Sequence, residues 1–338
     1  MKKIIKIQPL SMPWKTFDPF LITMHHKDDF PKGTDAMGPG TDSLAGRRIG
    51  NDFSYKEGWS MYHGETVPGF PAHPHRGFET VTFVIEGYVD HSDSHGTQGR
   101  YGKGDVQWMT AGKGMQHAEM FPLLNKDNGN PMELFQIWLN LPAKDKFVEP
   151  NYKMLWSEDI PVINYKDDAG KETKVTLVAG SYNKVKSLSS APDSWANKEK
   201  NHVGIWRIQM EPQSIFKIPK VSSTLNRTLY YYKGESVSIE DTLIQANNMI
   251  ILAGDENIVI QNGSEKSSFM LLEGEPIGEP IVAYGPFVMN TQQEIEDAYK
   301  DFQDTRFGGW PWDSYDPMIP RGKQRFAIHE DGGLENKK

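Results

Sequence analysis

The 338-residue chain contains no cysteine. That removes disulfide frameworks, thiolate zinc sites, iron–sulfur clusters and cysteine nucleophiles together, so any metal chemistry must use nitrogen and oxygen ligands. Long hydrophobic runs are missing too. No window approaches the ~18 consecutive apolar residues of a spanning helix, and no Lys/Arg-rich amphipathic stretch points to a membrane surface. Positive charge is in deficit: 37 Lys and Arg stand against 45 Asp and Glu, a formal net charge of −8. This disfavours sequence-independent binding to phosphate backbones, so no direct nucleic-acid partner is expected. The opening Met-Lys-Lys-Ile-Ile-Lys is interrupted by Lys6, Gln8 and Pro9, which reads as a first strand rather than a signal peptide. The expectation is a cytoplasmic protein without membrane association.

What the chain has in quantity is turn residues, 31 Gly and 22 Pro, which suit a turn-rich β protein better than a helical bundle. Residues 18–62 carry dense Gly, Asp and Lys signals, strongest at 31–40, and predict a long surface loop. Short β-type runs follow at 80–85, 105–110 and 133–141, each closed by Gly or Pro. In the last run Phe135, Ile137, Leu139 and Leu141 share one face by period-2 alternation. Residues 142–159 read as a connection. The strand rhythm then resumes at 174–179, 203–210, 228–232, 249–253 and 269–272, as in a sandwich or barrel.

A helix is expected near 292–304, where Thr291 and Glu294 form a capping box and Ile295, Ala298, Tyr299 and Phe302 recur at helical spacing. The tail beyond, with Trp310, Pro311, Trp312 and Pro317, reads as a draped segment with a frayed end. Laying residues 80–87 over 227–234, and Ala111-Gly112 over Ala253-Gly254, suggests a duplicated small barrel. The expected organisation is an N-terminal domain at 1–142 with a Gly-rich insertion near 30–50, a linker at 143–160, and a C-terminal domain at 161–338 that includes the helix and tail.

The chemistry concentrates in residues 69–80. On an extended chain residues two apart face the same way, so His73 and His75 can offer imidazoles to one point. His117 and Glu119 repeat the device with one imidazole and one carboxylate. Two neighbouring strands carrying such pairs could close a three-nitrogen, one-oxygen site with two octahedral positions open, suited to iron(II), manganese, nickel or copper. Such a centre keeps a formal charge of +1, which an enolate, a carboxylate or dioxygen could complete. Other histidines read differently. His91 follows a Gly-Tyr turn and suits a turn or pocket rim. His25 and His26 are adjacent and would face opposite ways. Trp59, Trp108 and Phe78 read as core rather than pocket.

Residues 69–87 resemble the first cupin motif. More narrowly, HPHRGFETVT (73–82), GDVQWMTAGKGMQHAEM (104–120) and GEPIGEPIVAYGPFVMNT (274–291) resemble the pirin family, in matching order along nearly the whole chain. The resemblance implies an all-β fold of two cupin-type jelly-roll barrels with a C-terminal helix. It implies one divalent metal in the N-terminal barrel, usually Fe(2+), with Mn, Ni, Cu or Zn as alternatives. The ligands corresponding to the family pattern are His73, His75, His117 and Glu119. Glu79, a ligand in other cupins, then becomes a partner that orients an imidazole or accepts a proton. The C-terminal half lacks the pattern: Lys220 and Ser222 stand where His73 and His75 would, and Val259 and Gln261 where His117 and Glu119 would.

Three functions are consistent with that resemblance. The first is a metal-dependent dioxygenase that opens quercetin-type flavonols with O2, with Glu119 or Glu79 accepting the substrate proton. Its partners are a small aromatic or enolic substrate and O2. The second is a regulator in which the metal tunes docking to a transcription factor or metabolic enzyme; an acidic chain would act there through a protein partner. The third is a metal-stabilised scaffold without turnover.

Overall fold

The computed structural model describes residues 3–337. Contacts divide them into two compact units. One comprises the chain through Thr23, Trp138–Asn140 and Glu158–Gly278; the other comprises Met24–Ile137, Leu141–Ser157 and the chain from Glu279 onward. Each unit is a double-sheet jelly roll, and the sequence pattern explains why: short runs of β-branched and aromatic residues alternate with turns, and the central runs such as Val106–Thr110 and Met115–Met120 are buried along their whole length.

In the histidine-bearing unit, one five-stranded sheet has the order Asn151–Leu155, Val106–Thr110, Phe78–Glu86, Asn130–Asn140, Phe20–Phe30. Facing it is a six-stranded sheet in the order Leu334–Asn336, Phe326–Ile328, Gln98–Gly102, Tyr88–Asp93, Met115–Met120, Gly69–His75. The other unit repeats the plan. Its large sheet runs Ile4–Pro9, Asn248–Leu252, Asn226–Lys233, Ser267–Gly274, Gly204–Met210, Glu172–Ala179, Val162–Lys166. Its small sheet runs Ile215–Ile218, Ile258–Asn262, Ser236–Ile239, Thr242–Gln245. The central strands correspond in order although the sheets differ in size, five and six strands against seven and four, and that shared order supports the duplication better than the letters do.

The linear segments 1–142 and 161–338 are not the compact units. The opening strand pairs with Asn248–Leu252, whereas Phe326–Ile328 pairs with Gln98–Gly102. An exposed sheet edge is a row of unpaired backbone groups, and two of the sheets each take up a strand from a distant part of the chain at one side. The presumed connection 142–159 likewise contributes Asn151–Leu155, paired with Val106–Thr110. The tail is anchored, not frayed. Arg100, 1% exposed, donates to the carbonyls of Ile319 (2.8 Å), Lys323 (3.0 Å) and Pro320 (3.1 Å) and pairs with Asp90 at 2.6 Å.

Residues 18–62 are also more than loop. Phe20–Phe30 is an 11-residue strand, and Trp59 and Met61 are buried. The helix spans Gln292–Thr305 with its capping box formed; Ile295 and Ala298 are buried and Tyr299 and Phe302 pack beside them. Phe135, Ile137, Leu139 and Leu141 are fully buried, as are Trp108 and Phe78. Among the described residues no helix is long and apolar enough to cross a membrane.

Candidate metal centre

The ligand-bearing strands are neighbours. Gly69–His75 pairs antiparallel with Met115–Met120, placing His73 opposite His117 and His75 opposite Met115, with a register shift between Phe70 and His73. Gly69–His75 is an edge strand, so Pro71 and Pro74 delete no essential ladder bond. Its free edge meets the tail instead, where Ala72 N donates to Tyr315 O at 2.7 Å. The turn after His75 needs glycine: Gly77 has φ +85°, and a side chain there would collide with the Val288 carbonyl.

The pleat then brings three imidazoles together. One ring nitrogen from each of His73, His75 and His117 lies within 4.8 Å of the others. The ring centroids are 4.5 Å (His73–His117), 4.8 Å (His73–His75) and 4.9 Å (His75–His117) apart. His73 Nδ1 lies 2.9 Å from Pro71 O and His75 Nδ1 3.4 Å from Pro286 O. With the proton on Nδ1 each would donate to its carbonyl, leaving the Nε2 lone pair for a cation. His117 is 0% exposed, and neither of its nitrogens has a hydrogen-bond partner among the described residues. An orphaned buried imidazole costs free energy that a coordinated cation would remove.

Removal from water also keeps the three rings neutral, the form that binds metal. It pushes His73 down to about 4 and holds His75 and His117 well below the ordinary imidazole range, with repulsion from neighbouring imidazoles, His63 and His91 among them, adding to the effect. The donor set therefore fits a divalent ion.

Glu119 flanks this set. Its Oε2 lies 3.8 Å from His117 Nε2, while Gln136 Nε2 donates to Oε2 at 2.6 Å and Thr82 Oγ1 to Oε1 at 3.2 Å. Burial raises its pKa, opposed by charge on His91 and by these hydrogen bonds. Glu79 is fully buried, accepting from Trp108 Nε1 at 3.0 Å and Thr110 Oγ1 at 2.8 Å through Oε1.

His91 is not a turn residue. It is 0% exposed within Tyr88–Asp93, opposite Glu119 in register, with Nε2 3.1 Å from Asp93 Oδ2 and its ring stacked on Tyr152. Gln136, Thr82 and this His91–Asp93 pair were not legible as site residues. One signal did exist for Gln136: it shares strand parity with the buried Met132 and Leu134, hence an inward face. His25 and His26 point apart, His25 to Glu133 at 3.0 Å and His26 to Tyr62 at 3.0 Å. Lys220 and Ser222 lie outside the strands, beyond Ile215–Ile218.

Two jelly-roll units with the same central strand order, one carrying inward histidines on neighbouring strands, define a two-domain cupin. Residues 44–139 match the family description "Pirin", and residues 205–308 match "Pirin C-terminal cupin domain". A pirin-like protein of Solanum lycopersicum is 39% identical over 240 residues, covering 70% of this chain and 75% of its own. Pirin-1 of Arabidopsis thaliana is 36% identical over 244 residues, covering 71% and 78%. In fold, a crystal structure of quercetin 2,3-dioxygenase from Acinetobacter baumannii matches with TM-score 0.70 and 27% identity, over 91% of this chain and 99% of that one. The chain belongs to the pirin family.

Proposed function

We propose that this protein is a metal-dependent dioxygenase that opens the ring of quercetin-type flavonols with O2. The observation that carries the reading is the buried, neutral, convergent histidine cluster with an orphaned His117 at its centre. The similarity to a solved quercetin 2,3-dioxygenase supplies the substrate class.

His73, His75, His117 and Glu119 would hold one divalent ion, iron(II) in this reading. When bound, the metal supplies Lewis acidity that lowers the pKa of a substrate hydroxyl and a place for O2. The protein's own groups do the rest. The Pro71 and Pro286 carbonyls set the tautomers of His73 and His75, and Gln136 and Thr82 aim the Glu119 carboxylate. Glu119, kept out of water with a raised pKa, is suited to accept a hydroxyl proton within reach of it. Glu79 has the weaker claim, because Trp108 and Thr110 already hold its Oε1.

The test is metal analysis of the purified protein followed by oxygen uptake with quercetin, using iron-loaded and metal-free protein side by side. About one metal per chain with metal-dependent uptake is expected. A loaded protein that consumes no oxygen would sink the enzyme reading.

A further inference from the structure

Burial around the histidine cluster is uneven. His75, His117 and Glu119 are buried, whereas His73 and its neighbour Phe70 keep partial exposure. From the His73 ring a run of aromatic edges leads outward. Phe70 meets His73 with centroids 6.3 Å apart, His63 meets Phe70 at 5.8 Å, and Phe53 meets His63 at 5.1 Å, each edge-to-face. His63 is near enough to His73 for its charge to oppose protonation there.

Phe53 ends this run 55% exposed. A lone exposed phenylalanine needs no explanation, but this one is continuous with a candidate metal centre and sits on a braced segment. Asp52 and Tyr62 exchange backbone hydrogen bonds of 2.8 Å, closing the loop that carries Phe53. Beneath it Arg47, whose guanidinium lies 3.3 Å from the Trp59 ring centroid, donates to Asp52 Oδ2 and to Trp59 O at 2.9 Å each. His63 Nδ1 lies 3.1 Å from Gly50 O. The outer ring, edge-on to both His63 and Tyr62, is thus held in place while more than half of it stays exposed, and offset or edge-on aromatic contacts are what such rings favour.

We propose that Phe53, His63 and Phe70 form a stacking shelf at the mouth of the histidine centre, selecting planar aromatic ligands whose oxygen donors reach the metal. The shelf names the specificity residues of the dioxygenase reading and rests on it for the identity of the ligand. Binding can nevertheless be measured without turnover. Residues 50–63 therefore set substrate preference, while the ligand strands set the chemistry.

The experiment is an anaerobic titration of the metal-loaded protein with quercetin, followed by the flavonol absorption band. Azide serves as a small metal-directed probe that cannot span the shelf. Phe53→Ala is expected to raise the quercetin Kd by up to about tenfold, with azide affinity, metal content and Tm unchanged, and Phe53→Tyr is expected to restore binding. His63→Ala should weaken quercetin in the same sense. Equal quercetin affinity in wild type and Phe53→Ala overturns the shelf, as does parallel loss of azide binding or no quercetin binding by wild type. Wild-type binding that depends on Phe53 without oxygen uptake removes the enzyme reading and keeps the shelf. Turnover with an unchanged KM in Phe53→Ala does the reverse.

Discussion

The two barrels share a central strand order and differ in what they point inward. In one, the pair Gly69–His75 and Met115–Met120 sets His73 against His117. In the other, the corresponding pair Ile215–Ile218 and Ile258–Asn262 sets Phe216 against Ile260 and Ile218 against Ile258, all four fully buried. Where Glu119 stands in the first, the same parity brings Asn262 in the second, its amide donating to the carbonyls of Met210, Glu211 and Glu265. One ladder therefore serves as polar cage or apolar plug, according to a few inward positions. The backbone tolerates both because its own hydrogen bonds do not depend on them.

The largest effect should come from giving the first barrel the second's chemistry. His117→Ile is expected to abolish tight metal binding in chelator competition. It should leave the metal-free protein folded, and more stable by about 1–3 kcal/mol because an unpartnered buried imidazole is gone. Unfolding of the variant would mean the cage is structural. Next, Phe216→Ala is expected to cost about 3–5 kcal/mol in denaturant unfolding through the cavity it leaves, with metal stoichiometry untouched. Loss of metal in that variant would break the independence of the two plans.

The smallest effect is the pH dependence that comes from buried histidines, which one barrel alone carries among the described residues. The folded pKa values of His73 and His26 are pushed down to about 4, and those of His75 and His117 are held well below the ordinary imidazole value. Below the ordinary imidazole value of 6.5 the unfolded chain binds protons that these folded rings refuse. The contribution of these rings to metal-free stability therefore falls as pH drops from about 6.5 toward about 4, by on the order of a few kcal/mol. Asp28, raised to about 6 by burial, pulls the other way, as do the buried carboxyls of Asp90, Asp105 and Glu119, which are also raised. The second barrel has no buried histidine among the described residues, His202 being exposed. Hydrogen exchange should accordingly lose protection in Met115–Met120 before Ser267–Gly274; simultaneous loss would contradict this account.

The comparison also explains which parts were readable in the chain. Pairs two residues apart on an extended strand share a face by local geometry, so His73 with His75 and His117 with Glu119 could be paired on paper. The helix was equally local, since its Thr291–Glu294 box lies within one turn. Strand exchange was not local. Nothing near Ile4–Pro9 announces Asn248–Leu252, and nothing near Phe326–Ile328 announces Gln98–Gly102. The correspondence of Lys220 and Ser222 with the ligand positions failed for a related reason: a gapless overlay slides past strand ends, while the ladder shows that Phe216 and Ile218 hold those places.

By itself, then, the sequence determined a cysteine-free, turn-punctuated β chain with two same-face ligand pairs, because composition and the two-residue pleat act over a few neighbouring residues. Only the tertiary structure decided that the two pairs meet, that Gln136 and Thr82 steady the carboxylate, and that a run of rings links His73 through Phe70 and His63 to Phe53. Those relations depend on cross-strand register and loop closure, which join residues tens to hundreds of positions apart through backbone pairing and shared burial.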